Sequence, residues 1–245
     1  MREALSWLLS SGSSTYAGDI DWLYNLILAV TGIAFVLVEA ALIYFVIKYR
    51  ARPGRKALYT HGSTTPEYIW TGVTAVVVVI IGLLSAPTWA RIKGRNAAPP
   101  GSMPIGILAK QFEWHVTYPG ADGQLGSGDD FTVRSQLHVP VDTPVSATLE
   151  AEDVIHSFFV PPWRIKQDAV PGMKIPIWFQ ATRTGTFELG CAELCGLGHY
   201  RMKAAVTVHS KEDFARWMAA GGQTTAAATP ATTTAPAAPA ITAAR

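Results

Sequence analysis

Two stretches in the N-terminal part of the chain carry no acidic or basic residue: residues 22–38, resuming after Glu39 as far as residue 47, and residues 68–90. At about 1.5 Å per residue, each is long enough to cross a hydrocarbon core of about 30 Å. Core helices of water-soluble domains are usually shorter. The pattern therefore predicts a membrane-spanning helical hairpin over residues 21–93, after a short polar lead over residues 1–20. The apolar run before Ser11 is too short for a secretory leader, and Arg2 is followed at once by Glu3. The second span has a start signal in Ser63-Thr-Thr-Pro66-Glu67. A hydroxyl cap there precedes a proline at the first helical position and a carboxylate in the first turn, which suits the exposed N–H groups and the helix dipole.

Residues 94–102, rich in proline and small side chains, read as a linker. Beyond it the hydrophobic period changes to two. Runs at 103–118, 131–139, 144–150, 155–160, 174–180, 186–190 and 203–209 are predicted strands, and the glycines and aspartates of residues 120–130 mark a long loop. Short strands at this density predict an all-β sandwich or barrel over residues 103–220, closed by a short helix at 211–219. After Gly222 the chain is almost wholly Ala, Thr and Pro, a composition unable to bury a core, so residues 221–245 read as a disordered tail.

Charge sharpens this outline. Charged residues make up 16% of the chain, against about 25% in a soluble domain, and the deficit lies in the two spans. Residues 48–56 between the spans hold five basic and no acidic residues. Positive-inside counting puts that loop in the cytoplasm, and both termini and the β domain on the outer, periplasmic side of a bacterial inner membrane. Arg91, Lys93 and Arg95 after the second span partly oppose this count, and Asp19 and Asp21 flank the first span on the outer side. The net charge of +2 points to no partner, and no patch suggests nucleic acid. Glu39 in mid-span is expensive in lipid; it is expected as a neutral carboxyl hydrogen-bonded in a helix interface.

The chemistry concentrates in Gly190-Cys-Ala-Glu-Leu-Cys-Gly-Leu-Gly-His-Tyr-Arg-Met202, which contains both cysteines of the chain. Soft and borderline ligands on a glycine-rich arc between two strands make a compact metal-binding loop. A plain disulfide gives no reason for His199 and Met202 to follow. Structural zinc has little use for a thioether, and a mononuclear blue-copper site needs one cysteine rather than two. Two thiolates four residues apart can instead each bridge two copper ions, with one terminal imidazole per copper. His199 supplies one. The other comes from His61, His115, His138, His156 or His209, and His156, on an earlier strand, is the best placed.

The loop at 190–202, the segment Asp153-Val-Ile-His-Ser-Phe158, and Lys166-Gln-Asp-Ala-Val-Pro-Gly172 together resemble cytochrome c oxidase subunit II, as does a two-span hairpin before a β domain. The resemblance covers about residues 20–218. It implies a cupredoxin-like sandwich carrying a dinuclear CuA centre. Cys191 and Cys195 would bridge, His156 and His199 would terminate, and Met202 and the Glu193 carbonyl would be weak axial ligands. It further implies a magnesium ion shared through the Glu193 carboxylate with a haem-bearing catalytic subunit I, other oxidase subunits, and a c-type cytochrome as electron donor. Oxygen reduction and proton pumping would belong to the whole complex. Glu67 would lie at the mouth of a proton path.

Some positions depart from the family pattern. Electrons enter the family through a tryptophan directly after a glutamine, and here Phe112 follows Gln111, so Phe112, Trp114 or Trp163 take that role. Met173 stands where the family carries arginine. No C-x2-C-H motif is present, so no haem domain is fused to the tail. A nitrous oxide reductase shares the ligand loop without this hairpin, a quinol oxidase shares the fold without the ligands, and a membrane-anchored copper carrier would more often expose a short Met- or Cys-rich loop.

Overall fold

The structure is a computed structural model and describes residues 10–57, 59, 61–94 and 97–223. The expected Ala/Thr/Pro tail from residue 224 and the first nine residues lie outside the described residues. Helix α1 spans Ala17–Tyr49 and α2 spans Thr64–Lys93. Side chains along both, such as Phe35, Leu37, Val78 and Leu83, are more than 60% exposed. So continuous an apolar surface calls for cover by lipid or by neighbouring membrane helices. Pro66 is the third residue of α2 rather than the first, and Ser63 makes no capping hydrogen bond. The proline is still free of cost there, because the N–H groups of the first turn have no intrahelical partner.

The remainder is a sandwich of two five-stranded sheets. One has the order β3-β2-β1-β5-β8, built from Phe131–Arg134, Glu113–Tyr118, Met103–Lys110, Val145–Ala151 and Ile175–Phe179. The other has the order β4-β10-β9-β6-β7, from Gln136–Pro140, Lys203–His209, Gly185–Cys191, His156–Val160 and Ile165–Ala169. The pairs β1–β5 and β4–β10 are parallel and the other pairings antiparallel, which makes a cupredoxin-like sandwich. Alternate residues face inward. Ile105, Ile107, Trp114 and Leu149 of the first sheet meet Leu137, Phe158, Leu189 and Val206 of the second, all 0–1% exposed. Each such side chain contributes about 1.5–3 kcal/mol by leaving water.

Three elements differ from the sequence expectation. Residues 103–118 form two strands joined at Gln111–Phe112. A single strand of that length would span roughly 50 Å at about 3.3 Å per residue, far beyond ordinary strand lengths. Residues 131–139 divide at Ser135, whose φ of 49° turns the chain from one sheet into the other. Strand β7 escaped the hydrophobic pattern because Lys166, Gln167 and Asp168 occupy its centre, as an edge strand with one wet face allows. Helix α3, Lys211–Ala219, closes the end, with the Ser210 hydroxyl accepting the Asp213 N–H.

The hairpin is tied to the sandwich at its outer end. The Ser13 N–H donates to the Pro162 carbonyl (2.7 Å) and the Thr15 N–H to that of Gln180 (3.1 Å), while Tyr16 is buried edge-on against Trp178. Arg164 pairs with Asp21 at 2.6 Å, Arg91 pairs with Asp19, and the Trp178 indole N–H donates to the Arg91 carbonyl.

At the opposite corner His138 stacks on Trp217 of α3, with its Nδ1 2.8 Å from His209 Nε2. Burial, assisted by His209, pushes His138 down to about 4. Unfolding restores its ordinary value of 6.5, so the neutral imidazole contributes fully to stability above that pH, and the contribution is lost as the pH falls towards the folded value. Between pH 7 and pH 5 the melting temperature should fall by roughly 5 °C more in the unaltered protein than in His138→Gln, measured by thermal unfolding. Equal slopes would show that this pair does not govern acid stability.

Candidate metal centre

The site is assembled by a short ladder between β6 and β9, in which Phe158 pairs with Cys191 and Phe159 with Gly190. The ladder continues where the Ala192 N–H donates to the Ser157 carbonyl at 3.0 Å. The far end of the loop is closed by the Cys191 N–H donating to the Met202 carbonyl at 3.1 Å. Two strand ends and a 3-10 turn at His199–Arg201 thus place ligand-type atoms in one corner.

Cys191 Sγ lies 3.9 Å from His156 Nδ1 and 3.8 Å from Cys195 Sγ; Cys195 Sγ lies 3.6 Å from His199 Nδ1 and 3.7 Å from Met202 Sδ. The Glu193 carbonyl oxygen is 3.2 Å from Cys191 Sγ, and the Glu193 side chain faces solvent. A disulfide needs its sulfurs about 2.05 Å apart, so these are two free thiols converging on one space. His156, Cys195 and Met202 are buried, while Cys191 and His199 are half-buried. His156 Nδ1 and the two sulfurs fall within 4.8 Å of one another. Two soft anionic donors, two imidazoles, a thioether and a carbonyl suit copper and give hard cations little. Burial, then the neighbouring Cys191, push the Cys195 thiol up to about 11. Metal must therefore displace a proton there.

Two residues without a role in the sequence reading support the ligands. Asp153 Oδ1 is 2.8 Å from His156 Nε2, and its Oδ2 accepts the Gln111 N–H at 2.8 Å. Burial works against the Asp153 anion, but the Gln111 N–H and the His156 ring more than offset it and hold the carboxyl below its ordinary range. With Nε2 engaged by Asp153, His156 turns Nδ1 to the thiols. The Gln111 side-chain amide donates to the Cys195 carbonyl at 2.6 Å. The signal for Asp153 was its place three residues before His156; the β1–β2 turn that delivers Gln111 had no marker.

Phe112 is half-buried on the loop itself. A Cβ built on Gly198 would come within 2.5 Å of its ring, and one on Gly196 within 3.3 Å, so both glycines are needed for the close approach. Trp114 is fully buried behind the site, edge-on to His156 with ring centroids 6.4 Å apart. Trp163 is buried too, stacked on Phe179. Around the loop Leu194, Leu197 and Tyr200 are 80%, 97% and 78% exposed, an apolar rim. The other histidines are elsewhere: His115 on Glu113, His138 with His209, and His61 beside Tyr59. Glu67 is exposed in the first turn of α2, and Met173 is exposed ahead of β8.

Residues 111–209 match the family model of the cytochrome c oxidase subunit II periplasmic domain, and residues 3–87 match that of its transmembrane domain. The chain is 32% identical over 230 residues to the alternative cytochrome c oxidase subunit 2 of Bradyrhizobium diazoefficiens, covering 84% of this chain and 81% of that protein. It is 32% identical over 262 residues to cytochrome c oxidase subunit 2 of Thermostichus vulcanus, covering 86% and 77%. Among solved structures, the periplasmic domain of subunit II of cytochrome oxidase (CoxB) of Bradyrhizobium japonicum shares 30% identity, covering 51% of this chain and 96% of that one with a TM-score of 0.45.

Gly198→Ala should force Phe112 off the loop and destabilise the fold by about 1–3 kcal/mol, the usual cost of overpacking. Adding Phe112→Ala should recover most of the lost melting temperature. A double variant no better than the single one would mean that the ring does not press on this glycine.

Proposed function

The chain belongs to the cytochrome c oxidase subunit II family, bacterial inner-membrane proteins with a periplasmic domain, and on that footing we propose that its 190–202 loop and His156 hold a dinuclear CuA centre. The wider activity is that of an electron-transfer subunit in a haem–copper oxidase, an oxidoreductase complex. The carrying observation is the unbroken run His156 Nδ1, Cys191 Sγ, Cys195 Sγ, His199 Nδ1, with successive separations of 3.9, 3.8 and 3.6 Å. When bound, a copper pair shares one electron over both metals, so little rearranges when charge moves.

The protein's contribution is to hold the donors still. Cys191 and Cys195 would hold the copper pair as thiolates, and His156 and His199 would each add an imidazole donor. Met202 Sδ and the Glu193 carbonyl stand beside one sulfur each and would supply two further, weaker donors. Asp153 fixes the His156 tautomer, and the buried setting of Cys195 keeps water from that sulfur. The outward Glu193 carboxylate is free to meet a magnesium ion shared with the haem-bearing catalytic subunit. Phe112, on the loop and half exposed, is the contact for a c-type cytochrome, with Trp114 packed behind it on His156. Glu67 opens towards the cytoplasmic side at the foot of α2, where it would serve a proton path. In this orientation both termini lie on the outer side.

Copper loading of the full chain in detergent should give an electron paramagnetic resonance spectrum with hyperfine coupling to two equivalent coppers, replaced in Cys195→Ser by a single-copper pattern. A single-copper spectrum from the unaltered chain, or retention of zinc alone, would sink the dinuclear assignment. In the assembled oxidase, Phe112→Ala should slow electron uptake from the c-type cytochrome by roughly tenfold, about 1.4 kcal/mol of barrier, at unchanged copper content. An unchanged rate would place electron uptake elsewhere.

A further inference from the structure

A cleft of about 380 Å³ lies where the outer ends of α1 and α2 meet the start of β7. Its apolar wall is Ile20 and Leu23 of α1 with Trp89 and Ile92 of α2, and its polar rim is Lys93, Arg164 and Lys166. The volume is that of an ordinary small-ligand site. Its position is the level of lipid headgroups, because the apolar spans end here and the water-facing sandwich begins. Trp22 and Trp89, both more than half exposed, are the tryptophans expected at that boundary.

The charges around the cleft do not cancel. Arg164 is committed to Asp21, Arg91 to Asp19, and Lys166 to Asp168 at 2.9 Å. Lys93 is the cation without an ion pair of its own, because Asp168, the carboxylate that attracts it, is already bound to Lys166. It is half-buried on the cleft wall, and its hydrogen bond is to the neutral Gln167 side-chain oxygen at 2.5 Å, with no carboxylate within salt-bridge distance among the described residues. An ammonium has three donors and is costly to hold partly out of water without an anion. Among the described residues, four cations against three carboxylates leave one positive charge, next to apolar surface that continues into the bilayer.

We propose that this cleft binds an anionic glycerophospholipid of the outer leaflet. Its phosphate would rest between Lys93 and Lys166, and its acyl chains would leave past Leu23 and Trp89. A zwitterionic lipid would bring its own cation into a site with a cation to spare, so the net negative headgroup is the better fit. The lipid closes the junction between hairpin and sandwich and adds counter-charge for Lys93, which otherwise shares Asp168 with Lys166.

The test uses the assembled oxidase in nanodiscs of phosphatidylcholine containing a little phosphatidylglycerol with a photoactivatable acyl chain. Labelling should map to peptides carrying Leu23 or Trp89, and should fall about fivefold in Lys93→Gln, the factor expected for one near-surface lysine. Lys93→Arg should retain it, and an unchanged copper spectrum confirms that each variant is folded. A photoactivatable phosphatidylcholine should label these peptides weakly, and inorganic phosphate should not compete. Equal labelling by the two lipids, or insensitivity to Lys93→Gln in a folded variant, would overturn the proposal. Competition by phosphate would reveal a general anion site instead. Labelling by neither lipid at these peptides in a folded complex would show that the cleft holds no lipid and would also overturn the proposal.

Discussion

The ladder between β6 and β9 brings together residues far apart in the chain, and the candidate site exists only where it forms. His156 lies two positions ahead of Phe158, which pairs with Cys191. Closing the intervening segment costs chain entropy that no single ligand contact repays. The cost is met by the core: Phe158 and Leu189, from the two paired strands, are fully buried against the opposite sheet. The ligand corner is therefore set by the packing that stabilises the sandwich. For electron transfer this is the favourable arrangement, since ligands held by a sheet do not have to move.

The second constraint is the attachment of that sandwich to the membrane. Positive-inside counting met opposition from the basic residues after the second span. Arg91 is neutralised in place by Asp19 and joined to the sandwich through Trp178, and Lys93 faces the junction cleft. Their charges serve contacts at the outer end of the hairpin, which weakens them as a counterweight to the five basic residues of the inner loop.

Much of this was legible in the amino-acid order because the signals were local. Uncharged runs marked the spans, alternation marked strands such as β5 and β10, and the spacing of Cys191, Cys195, His199 and Met202 marked the loop. What escaped was decided by tertiary context. The turn at Gln111–Phe112 contains neither glycine nor proline, and β7 is polar because its edge position leaves one face wet. Asp153 and Gln111 could be given roles only once β1, β2 and β6 were side by side. The choice of His156 among five histidines was open to pattern reasoning, and the resulting placement follows from the strand pairing alone.

Phe112 shows how a departure from a family pattern can be read physically. A tryptophan at this position would offer two things, an aromatic face against the ligand loop and an indole N–H for a docking partner. Phe112 keeps the first, because Gly196 and Gly198 lack the Cβ atoms that would hold the ring away from the loop. It lacks the second. In the proposed role of electron entry, tight contact between ring and loop would be the property that matters for transfer, whereas a hydrogen bond at the rim would mainly orient the partner. Leu194, Leu197 and Tyr200 are exposed on the ligand loop, so a partner docking there as proposed would be oriented by shape and apolar burial instead of by an indole donor.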